Sequence, residues 1–557
     1  GYTGFEMDNY DLTTSPGDPA MPHKVYRILI PPAADESTLK LKITDLEKLD
    51  LKGEYEIEPA PPFATWDGSK VVYVWGEDKR IVDGRNLNVY QADEDYPARI
   101  VKINSSGSLR KYKFVEIDFR PFAYNPVRKE LAYIRNIKLT ITYREKSVKR
   151  GALGTDLTRD TVMDEEAARL FDNFSSAAGW YQAPAARRGA SSGDKFDYVI
   201  ITSNAIESHS SKLDDFVAHK EKLGFSVKVV TEDEFGSLTG QSPNGRAEKI
   251  RKWLQNNYAA LGIKYLLLIG DPSPDSSDIP MKMCWPRNNQ SWETGYKEGP
   301  TDYYYADLTG NWDKDGDGRF GESGDDTGAG GVDRAAEVIV GRIPVYNSDY
   351  STLDKILQKT IDYETASGDL SWRDRVLLPM EPSDGNTPGW HLGEGIRNNY
   401  ANPRGFGSFR IYEQDYGIDP VPEKTPCNPT NVQNEWQNGY GLVTWWTHGS
   451  PTSAADVFSS YRCSNLDDSK PALVFQNSCL NGRPETTNNL GYALLKNGAI
   501  GTISASRVSW YNPGTWNRNG SNSDMAYKYS AKVLEGRSAG DALFEMKINE
   551  SASGAEY

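Results

Sequence analysis

Two stretches decide the fold: GLVTWWTHGS at residues 441–450 and PALVFQNSCLNG at residues 471–482. Each opens with a short apolar run of aliphatic and aromatic residues, which predicts a buried β-strand. Each run then gives way to small and polar residues, around His448 in the first stretch and Cys479 in the second. We therefore expect two strands that each carry a reactive side chain at the carboxyl end.

The rest of the chain after residue 195 repeats this pattern. Apolar runs such as DYVIITS (197–203), YLLLIGD (265–271) and RVLLPME (375–381) alternate with amphipathic segments such as GRAEKIRKWLQNNYAAL (245–261). Buried strands that alternate with helices predict an α/β fold with mostly parallel sheets covered by helices on both faces. Chemistry in such sheets gathers at the carboxyl ends of the strands.

The first 150 residues differ, because short period-two runs such as YKFVEIDFRPF (112–122) and IKLTITY (137–143) are divided by Pro, Gly, Asn and Asp. This pattern predicts an all-β domain. A segment rich in Gly, Ala, Ser and basic residues follows and is typical of a linker. The predicted domains are residues 1–188, all-β with the linker, and 189–557, α/β.

Composition excludes several classes of protein. Lys plus Arg number 63 against 78 Asp plus Glu, for a net charge of -15. An acidic surface repels phosphate backbones, so we expect no nucleic-acid partner. No apolar run reaches the roughly 18 residues of a membrane helix. The four cysteines are too few for a disulfide scaffold, although Cys427 and Cys463 remain an open candidate pair. A start at Gly1 without Met and the abundance of Tyr, Trp and Gly favour a secreted protein whose leader has been removed.

The pairing of His448 with Cys479 has a chemical interpretation. If their strands are neighbours, an imidazole beside a thiol takes its proton and yields a thiolate nucleophile. Gly449 would let a backbone N–H approach an oxyanion, with the N–H of Cys479 as second donor. The alternative is structural, since Cys is among the most buried residue types.

The two stretches resemble the His-Gly and Cys blocks of the gingipain family of cysteine peptidases, in the caspase-like group that includes legumain and clostripain. The likeness continues through GPTDYYYADLTGNWDKDGDGRFGE, EVIVGRIPV and NLGYALLKNGAIGTISASRVSWY, and the first domain resembles the family's β-rich inhibitory prodomain. The resemblance implies a caspase-like sandwich and a secreted cysteine endopeptidase zymogen. Cys479 and His448 would be its catalytic dyad, protein or peptide chains its substrates, and its own prodomain its inhibitor.

The resemblance also implies a specificity pocket for a basic side chain, Arg or Lys. Asp302 corresponds to the carboxylate at the base of this pocket, and the alternative for it is a strand-end or calcium-binding carboxylate. Trp510 corresponds to the aromatic wall of the pocket, and the alternative for it is plain core packing. The acid that orients His448 is left open between Asp278 and Glu293.

A calcium site is predicted at Asp313, Asp315 and Asp317, because carboxylates at alternate positions with glycines to turn the loop supply the hard oxygen ligands of Ca²⁺. Position twelve of an EF-hand loop falls on Gly324, so Glu322 and Asp325 nearby are the candidates for the remaining ligand. The alternative is a solvated acidic turn. Calcium stabilisation, which the resemblance also implies, supports a structural ion.

A chain that retains its prodomain is expected to be latent. Arg187 or Arg188 in the linker is the candidate processing site, and Arg128 or Lys129, at the tip of a predicted hairpin, the candidate inhibitory residue. Two rival functions stay open. One is an inactive secreted adhesion or binding protein on the same scaffold, and the other is transfer of the acyl group to an amine instead of water.

Overall fold

The computed structural model describes residues 2–13, 15–66, 70–76, 78–146, 155–182, 194–274, 277–286, 298–381, 383–413 and 421–550. They form an N-terminal domain of antiparallel strands followed by two parallel sheets. The predicted class, α/β with mostly parallel sheets preceded by an all-β region, is confirmed. No helix within these residues is long and apolar enough to span a membrane.

The N-terminal domain contains two antiparallel sheets and two hairpins. The four-stranded sheet has the order Asp11–Leu12, Pro22–Leu29, Tyr112–Phe119 and Val101–Leu109, and the three-stranded sheet the order Phe122–Asn125, Glu130–Thr142 and Lys40–Leu51. The hairpins pair Phe63–Trp66 with Val71–Val74 and Ile81–Val82 with Arg85–Asn86. Successive side chains of a strand face opposite sides. Val115 and Ile117 therefore enter one core, whereas Phe114 enters another.

The segment after this domain differs from the expected unstructured linker. It forms the helices Thr155–Thr158, Asp164–Leu170, Phe174–Ala177 and the 3-10 turn Ala178–Tyr181. Met163, Ala167 and Phe171 recur every four residues and are all buried, so they place one apolar face on the core of the α/β domain. The composition of the segment, rich in Gly, Ala and Ser, did not reveal this four-residue repeat of apolar side chains.

The α/β domain contains two parallel sheets. The first sheet has the strand order Val227–Val230, Tyr198–Ile201, Tyr265–Gly270 and Ile339–Pro344. The second sheet has the order Gly407–Tyr412, Arg375–Met380, Leu442–Trp446, Ala472–Asn477 and Ala499–Ser504. The sequence pattern missed Gly407–Tyr412, an edge strand whose run GSFRIY is short and partly polar.

Helices cover these sheets. Those around the first sheet are Asn204–His209, Leu213–Lys222, Glu232–Phe235, Arg246–Leu261 and Tyr350–Thr365. Those around the second sheet are Trp390–Ile396, Pro429–Trp436, Leu490–Lys496, Asn522–Leu534 and Ala539–Ile548, of which the last also packs on Ile339–Pro344. The helices shield both faces of each sheet from water, as its apolar strands require.

The strand Leu442–Trp446 lies in the middle of the second sheet and is buried throughout. Val443 and Trp445 enter the core on one face, whereas Leu442 and Trp446 enter the core on the other. Burial on both faces explains the continuous apolar run and makes the end of this strand a rigid platform.

Arg110 fastens the N-terminal domain to the α/β domain. It lies in the turn between Val101–Leu109 and Tyr112–Phe119, and its side chain is only 1% exposed. Its guanidinium pairs with Asp160 and donates to the carbonyl oxygens of Tyr258, Ile263 and Glu337 at 3.0, 2.8 and 2.8 Å. A guanidinium supplies five N–H donors in a fixed fork, so one residue satisfies acceptors from several segments.

Candidate active site

His448 and Cys479 follow neighbouring parallel strands. Trp446 is paired with Asn477, and the N–H of Thr447 donates to the carbonyl oxygen of Asn477 at 3.1 Å. Each reactive residue lies two positions beyond this last pair, so both emerge at the same edge of the second sheet. The predicted juxtaposition of the two strand ends is therefore present.

Gly449 is required by the packing at this edge. A Cβ atom at position 449 would lie 2.4 Å from the carbonyl oxygen of Cys479 and 2.9 Å from its nitrogen. No side chain fits that space, which is why glycine follows the histidine. The close approach brings the backbone of the histidine loop against the backbone that carries the thiol.

Three polar groups of Ser509 lie close to the thiol of Cys479. The N–H of Ser509 donates to Sγ at 3.4 Å, and the Ser509 carbonyl oxygen and Oγ each lie 3.7 Å from Sγ. Thr65 of the N-terminal domain places its Oγ1 3.9 Å from the same sulfur. A backbone N–H directed at sulfur stabilises the thiolate form, which is the nucleophilic one.

The imidazole of His448 is held by a backbone carbonyl. Its Nε2 lies 2.6 Å from the carbonyl oxygen of Ser383, and because a carbonyl only accepts, Nε2 carries the hydrogen and Nδ1 keeps a free lone pair. Burial lowers the pKa of His448, while the Ser383 carbonyl and the Asp384 charge act in the opposite direction. The ring is thus a neutral base near pH 7.

Asp384 is the carboxylate whose charge acts to raise the pKa of His448, and it is not among the acids predicted from the sequence. Its oxygens accept from the Tyr511 hydroxyl at 2.8 Å and from the Thr387 hydroxyl at 3.0 Å, and the Tyr511 hydroxyl also lies 3.3 Å from the Ser383 carbonyl oxygen. The available signal was its position shortly after Arg375–Met380, the strand beside Leu442–Trp446.

Asp278, one of the two acids predicted for this role, does not supply it in the described structure. Asp278 is half exposed and lies 3.8 Å from Arg246, at the start of the helix Arg246–Leu261. It gains a basic partner there and does not appear among the charges that act on His448. Glu293 lies outside the described residues.

Asp302 already has a cationic partner. Its two oxygens accept from Nε and Nη2 of Arg342 at 2.8 and 2.6 Å, and the same guanidinium donates to the Ile279 carbonyl oxygen at 2.7 Å. The resemblance implies that this carboxylate accepts a basic side chain of the substrate. It is instead one half of an internal bidentate pair.

Trp510 lies in the segment that borders the thiol. It is half-buried and follows Ser509, and its carbonyl oxygen accepts from the N–H of Asn522 at 2.7 Å. That bond ties the segment to the helix Asn522–Leu534. Its proposed place as a pocket wall stays a prediction.

The predicted inhibitory residues lie within their own domain. Arg128 forms ion pairs with Asp93 at 3.0 Å and Glu130 at 2.9 Å, and Lys129 lies 3.8 Å from Glu56. Their side chains are about half exposed and pair with acids of the same domain. That one of them inhibits the enzyme stays a prediction; in this structure Thr65 and Trp66 of the same domain contact Cys479 and His448.

The acidic loop has the geometry of a cation site. One carboxylate oxygen each from Asp313, Asp315 and Asp317 lie within 4.8 Å of one another. Each carboxylate also accepts a backbone N–H of its own loop, from Gly318, Asp317 and Arg319 respectively. Hard oxygen donors held this way fit Ca²⁺.

The remainder of this loop differs in part from the sequence prediction. Glu322 lies 3.3 Å from the Arg319 guanidinium. Asp326, which the sequence analysis did not name, is fully buried and accepts the N–H groups of Lys314 and Glu322. These two hydrogen bonds hold two separate positions of the loop to one buried carboxylate.

All four cysteines are free, so the candidate pair Cys427–Cys463 is not a disulfide. Burial raises the pKa of Cys463 to about 12 and that of Cys427 and Cys284 further. These three thiols are therefore unreactive, in contrast to one placed at a sheet edge with a histidine. The candidate processing residues Arg187 and Arg188 lie outside the described residues.

A thiol and a neutral imidazole thus lie at adjacent strand ends, beneath a separate N-terminal domain, which is the arrangement expected of a cysteine peptidase that carries a propeptide. Comparison with known families agrees. The model of peptidase family C25 matches residues 191–556, and the model of the C25 propeptide matches residues 8–177. The chain belongs to peptidase family C25 and carries the family's propeptide.

Individual relatives are distant. Gingipain R1 of Porphyromonas gingivalis is 22% identical over 426 residues, which are 75% of this chain and 35% of that protein. Gingipain R2 of Porphyromonas gingivalis strain ATCC 33277 is also 22% identical over 426 residues, 74% of this chain and 47% of that protein. The chain thus spans less than half the length of these curated relatives.

Solved structures show the same order of similarity. The crystal structure of the Arg-specific cysteine proteinase gingipain R matches at 17% identity and a TM-score of 0.47, over 66% of this chain and 78% of that one. The complex of the pro- and mature domains of Porphyromonas gingivalis RgpB matches at 17% identity and a TM-score of 0.46, over 64% and 73%.

Proposed function

We propose that this chain is a latent, secreted cysteine endopeptidase that cuts peptide bonds after basic residues through Cys479 and His448. The observation that carries the proposal is the thiol and the imidazole at one sheet edge, with Nε2 of the imidazole committed to Ser383. That commitment leaves Nδ1 as the proton acceptor. Membership of a peptidase family supports the assignment.

The reaction follows from these groups. The Sγ proton passes to Nδ1 of His448, and the thiolate attacks the peptide carbonyl carbon. The N–H groups of Cys479 and Gly449 receive the oxyanion, a role supported by the close approach of their backbones. The C–N bond breaks as the imidazolium returns its proton to the leaving amine. Water then gives a proton to Nδ1 as its oxygen attacks the thioester carbon, the C–S bond breaks to release the carboxylic acid, and the imidazolium returns the proton to the thiolate.

Specificity for Arg or Lys rests on Asp302. A carboxylate has about four lone-pair positions, and Arg342 uses one on each oxygen. The side chain of Asp302 is 18% exposed, so a lone pair on each oxygen stays available to a substrate cation. Arg342 neutralises the carboxylate, and the attraction is therefore weaker than that of an unpaired acid.

A structural calcium ion completes the proposal. Asp313, Asp315 and Asp317 would hold it, with Glu322 as the nearby further ligand, and the ion would offset the repulsion of three clustered carboxylates. The ion supplies stability to the loop and takes no part in bond cleavage. If the enzyme cuts after basic residues, Arg187 or Arg188 is the self-processing site.

The test is turnover of fluorogenic peptides with Arg, Lys, Asn, Asp or Leu before the scissile bond. The parent, Cys479→Ala, His448→Ala and the matched control Cys463→Ala are compared with calcium and reductant, before and after a nick in the linker. We expect turnover after Arg or Lys that rises on nicking, survives Cys463→Ala, and is lost in the other two variants.

Other outcomes separate the rival functions. Cleavage after Asn or Asp would retain the nucleophile and remove Asp302 from its role. A product joined to an added amine in place of the free acid would identify a transferase. No turnover by a folded, nicked chain would contradict the peptidase assignment.

A further inference from the structure

The segment that borders the thiol is anchored by one residue of a neighbouring helix. Asn522 is the first residue of the helix Asn522–Leu534, and its backbone N–H donates to the Trp510 carbonyl oxygen at 2.7 Å. Its side-chain Nδ2 donates to Oγ of Ser509 at 3.0 Å. One residue therefore fixes both the backbone and a side chain of the segment beside Cys479.

The helix that carries this anchor is itself fixed to the two strands of the dyad. The hydroxyls of Ser530 and Thr444 lie 2.9 Å apart, which joins the helix to the strand that leads to the histidine. The ring of Tyr529 packs on that of Phe475, in the strand that leads to the cysteine, with centroids 5.3 Å apart. Groups held by packed helices and strands keep their geometry better than groups held by loops alone.

The hydrogen of the Ser509 hydroxyl is directed at the sulfur. An amide NH2 group only donates, so Oγ accepts from Asn522 and keeps its own hydrogen for another partner. Within the part of the chain that the structure describes, the remaining hydrogen-bond contact of Oγ is Sγ of Cys479 at 3.7 Å. The backbone N–H of Ser509 donates to the same sulfur at 3.4 Å. Ser509 thus brings two donors to one sulfur.

The Thr65 hydroxyl adds no hydrogen to this sulfur. It donates to the Ser509 carbonyl oxygen at 2.9 Å, so its hydrogen is used there and not at Sγ, 3.9 Å away. Thr65 also belongs to the N-terminal domain, whereas Ser509 and Asn522 belong to the α/β domain. The two donors of Ser509 therefore stay with the thiol when the N-terminal domain leaves.

We propose that Ser509 is a further catalytic residue, whose hydroxyl and backbone N–H stabilise the thiolate of Cys479, and that Asn522 is the positioning residue that orients this hydroxyl. Sulfur carries negative charge before it attacks the peptide carbon and again when the C–S bond of the thioester breaks. Donors that are already in place stabilise that charge in both states. The proposal rests on the proposed function for the identity of the nucleophile.

The experiment measures the rate at which iodoacetamide alkylates Cys479 in the full-length chain, located by mass spectrometry. Only the thiolate reacts, and about pH 10 lies above the usual titration range of thiols. The rate at about pH 7 divided by the rate at about pH 10, called the alkylation ratio, therefore reports the fraction of thiolate near neutral pH. The ratio cancels differences in access to the sulfur, and it needs no peptide turnover.

The ionisable groups beside this thiol are left unaltered in every variant. Burial raises the pKa of Tyr511, whose charge acts on Cys479, and lowers the pKa of His448. Both groups are therefore neutral at about pH 7 and at about pH 10. The carboxylate of Asp384 accepts from the Tyr511 hydroxyl at 2.8 Å and is the same in all chains compared.

The parent is compared with Ser509→Ala, Ser509→Thr, Asn522→Ala and the double variant of Ser509→Ala with Asn522→Ala. Ser506→Ala is the matched control, because that hydroxyl lies in the same segment and donates to the Pro300 carbonyl oxygen at 2.8 Å. We expect the alkylation ratio to fall about tenfold in Ser509→Ala, for one hydrogen bond to a charged group, and about threefold in Asn522→Ala, for one neutral hydrogen bond. Ser509→Thr and Ser506→Ala should keep the parental ratio. The double variant should match Ser509→Ala, since Asn522 acts only through that hydroxyl.

Several outcomes would overturn the proposal. A parental ratio in Ser509→Ala, or equal slowing at both pH values, would remove Ser509 from the thiolate. An equal fall in Ser506→Ala would mean general loosening of the segment. Effects that multiply in the double variant would show that Asn522 does not act through Ser509.

Failure of the proposed function is distinguishable from these outcomes. A chain that turns over no peptide, yet shows the expected alkylation ratios, loses the peptidase assignment and keeps Ser509 as the residue that stabilises its thiolate.

Discussion

Replacing Arg110 with Ala should release the N-terminal domain after the linker is cut. The Arg110 side chain is 1% exposed, and its three carbonyl acceptors across the interface belong to Tyr258, Ile263 and Glu337. Asp160 lies before the cut and leaves with the N-terminal domain, so the loss across the interface is that of three carbonyl acceptors left buried without a donor, at about 1 kcal/mol or more each and about 3–4 kcal/mol in total. At about 1.4 kcal/mol per factor of ten, the dissociation constant of the domain should rise by about two to three orders of magnitude.

The assay uses a chain with a specific cleavage site inserted between residues 183 and 193. After cutting, the labelled N-terminal domain is followed by fluorescence anisotropy during dilution. Arg128→Ala is the matched control, since the Arg128 side chain is 49% exposed and its acidic partners are exposed as well. Exposed pairs are worth about 0–1 kcal/mol, so its constant should stay within about fivefold of the parent. A similarly small change in Arg110→Ala would refute the reasoning.

Three other predictions follow from the site and the interface. Burial raises the pKa of Asp333 and that of Glu337, the latter to about 8, and both accept N–H groups from the Ser108–Arg110 turn. Acids whose pKa is raised in the complex stabilise it while they are protonated, so the affinity for the N-terminal domain should fall as the pH rises from about 4 to 8. The measurement is the dissociation constant of the cut complex as a function of pH, and a constant value across this range would contradict the prediction. Calcium at about 100 times its dissociation constant should stabilise the fold by about 2.7 kcal/mol, measured as a rise in melting temperature that a chelator reverses. The rise should be smaller in Asp315→Asn, and an equal rise in the parent and the variant would contradict the site. Asp302→Asn should lower kcat/KM for Arg and Lys peptides by about tenfold or more, with Leu peptides as the control, because a hydrogen bond between charged groups is replaced by a weaker one.

The parallel sheets could be predicted from the sequence because their strands are buried on both faces. Val443 and Trp446 enter different cores, so the run that contains them is apolar apart from the buried Thr444 and shows no alternation of polar and apolar residues, as a strand buried on both faces requires. The juxtaposition of His448 and Cys479 then followed from the shared edge of parallel strands.

The partners of these residues could not be predicted, since they depend on contacts between distant segments. Ser383 acts on His448 through its backbone carbonyl, which every residue type possesses. Arg342 reaches Asp302 from a strand 40 positions away. The basic tip at Arg128 suggested an inhibitor because of its charge, whereas the segment that reaches the dyad is nearly apolar and carries no reactive residue. A pattern of residue types does not record which strand edge another strand will cover.

The anchoring of Arg110 also changes what a cut in the linker accomplishes. None of the residues that Arg110 contacts lies between residues 183 and 193, so cutting there leaves every one of its bonds intact. Before the cut, the tether keeps the covering domain at an effective concentration of about millimolar order. After the cut, the fraction of the domain that stays bound depends on the concentration of the cut protein. Cut molecules at high concentration therefore keep the N-terminal domain bound, whereas cut molecules that are diluted by diffusion lose it without any further cleavage.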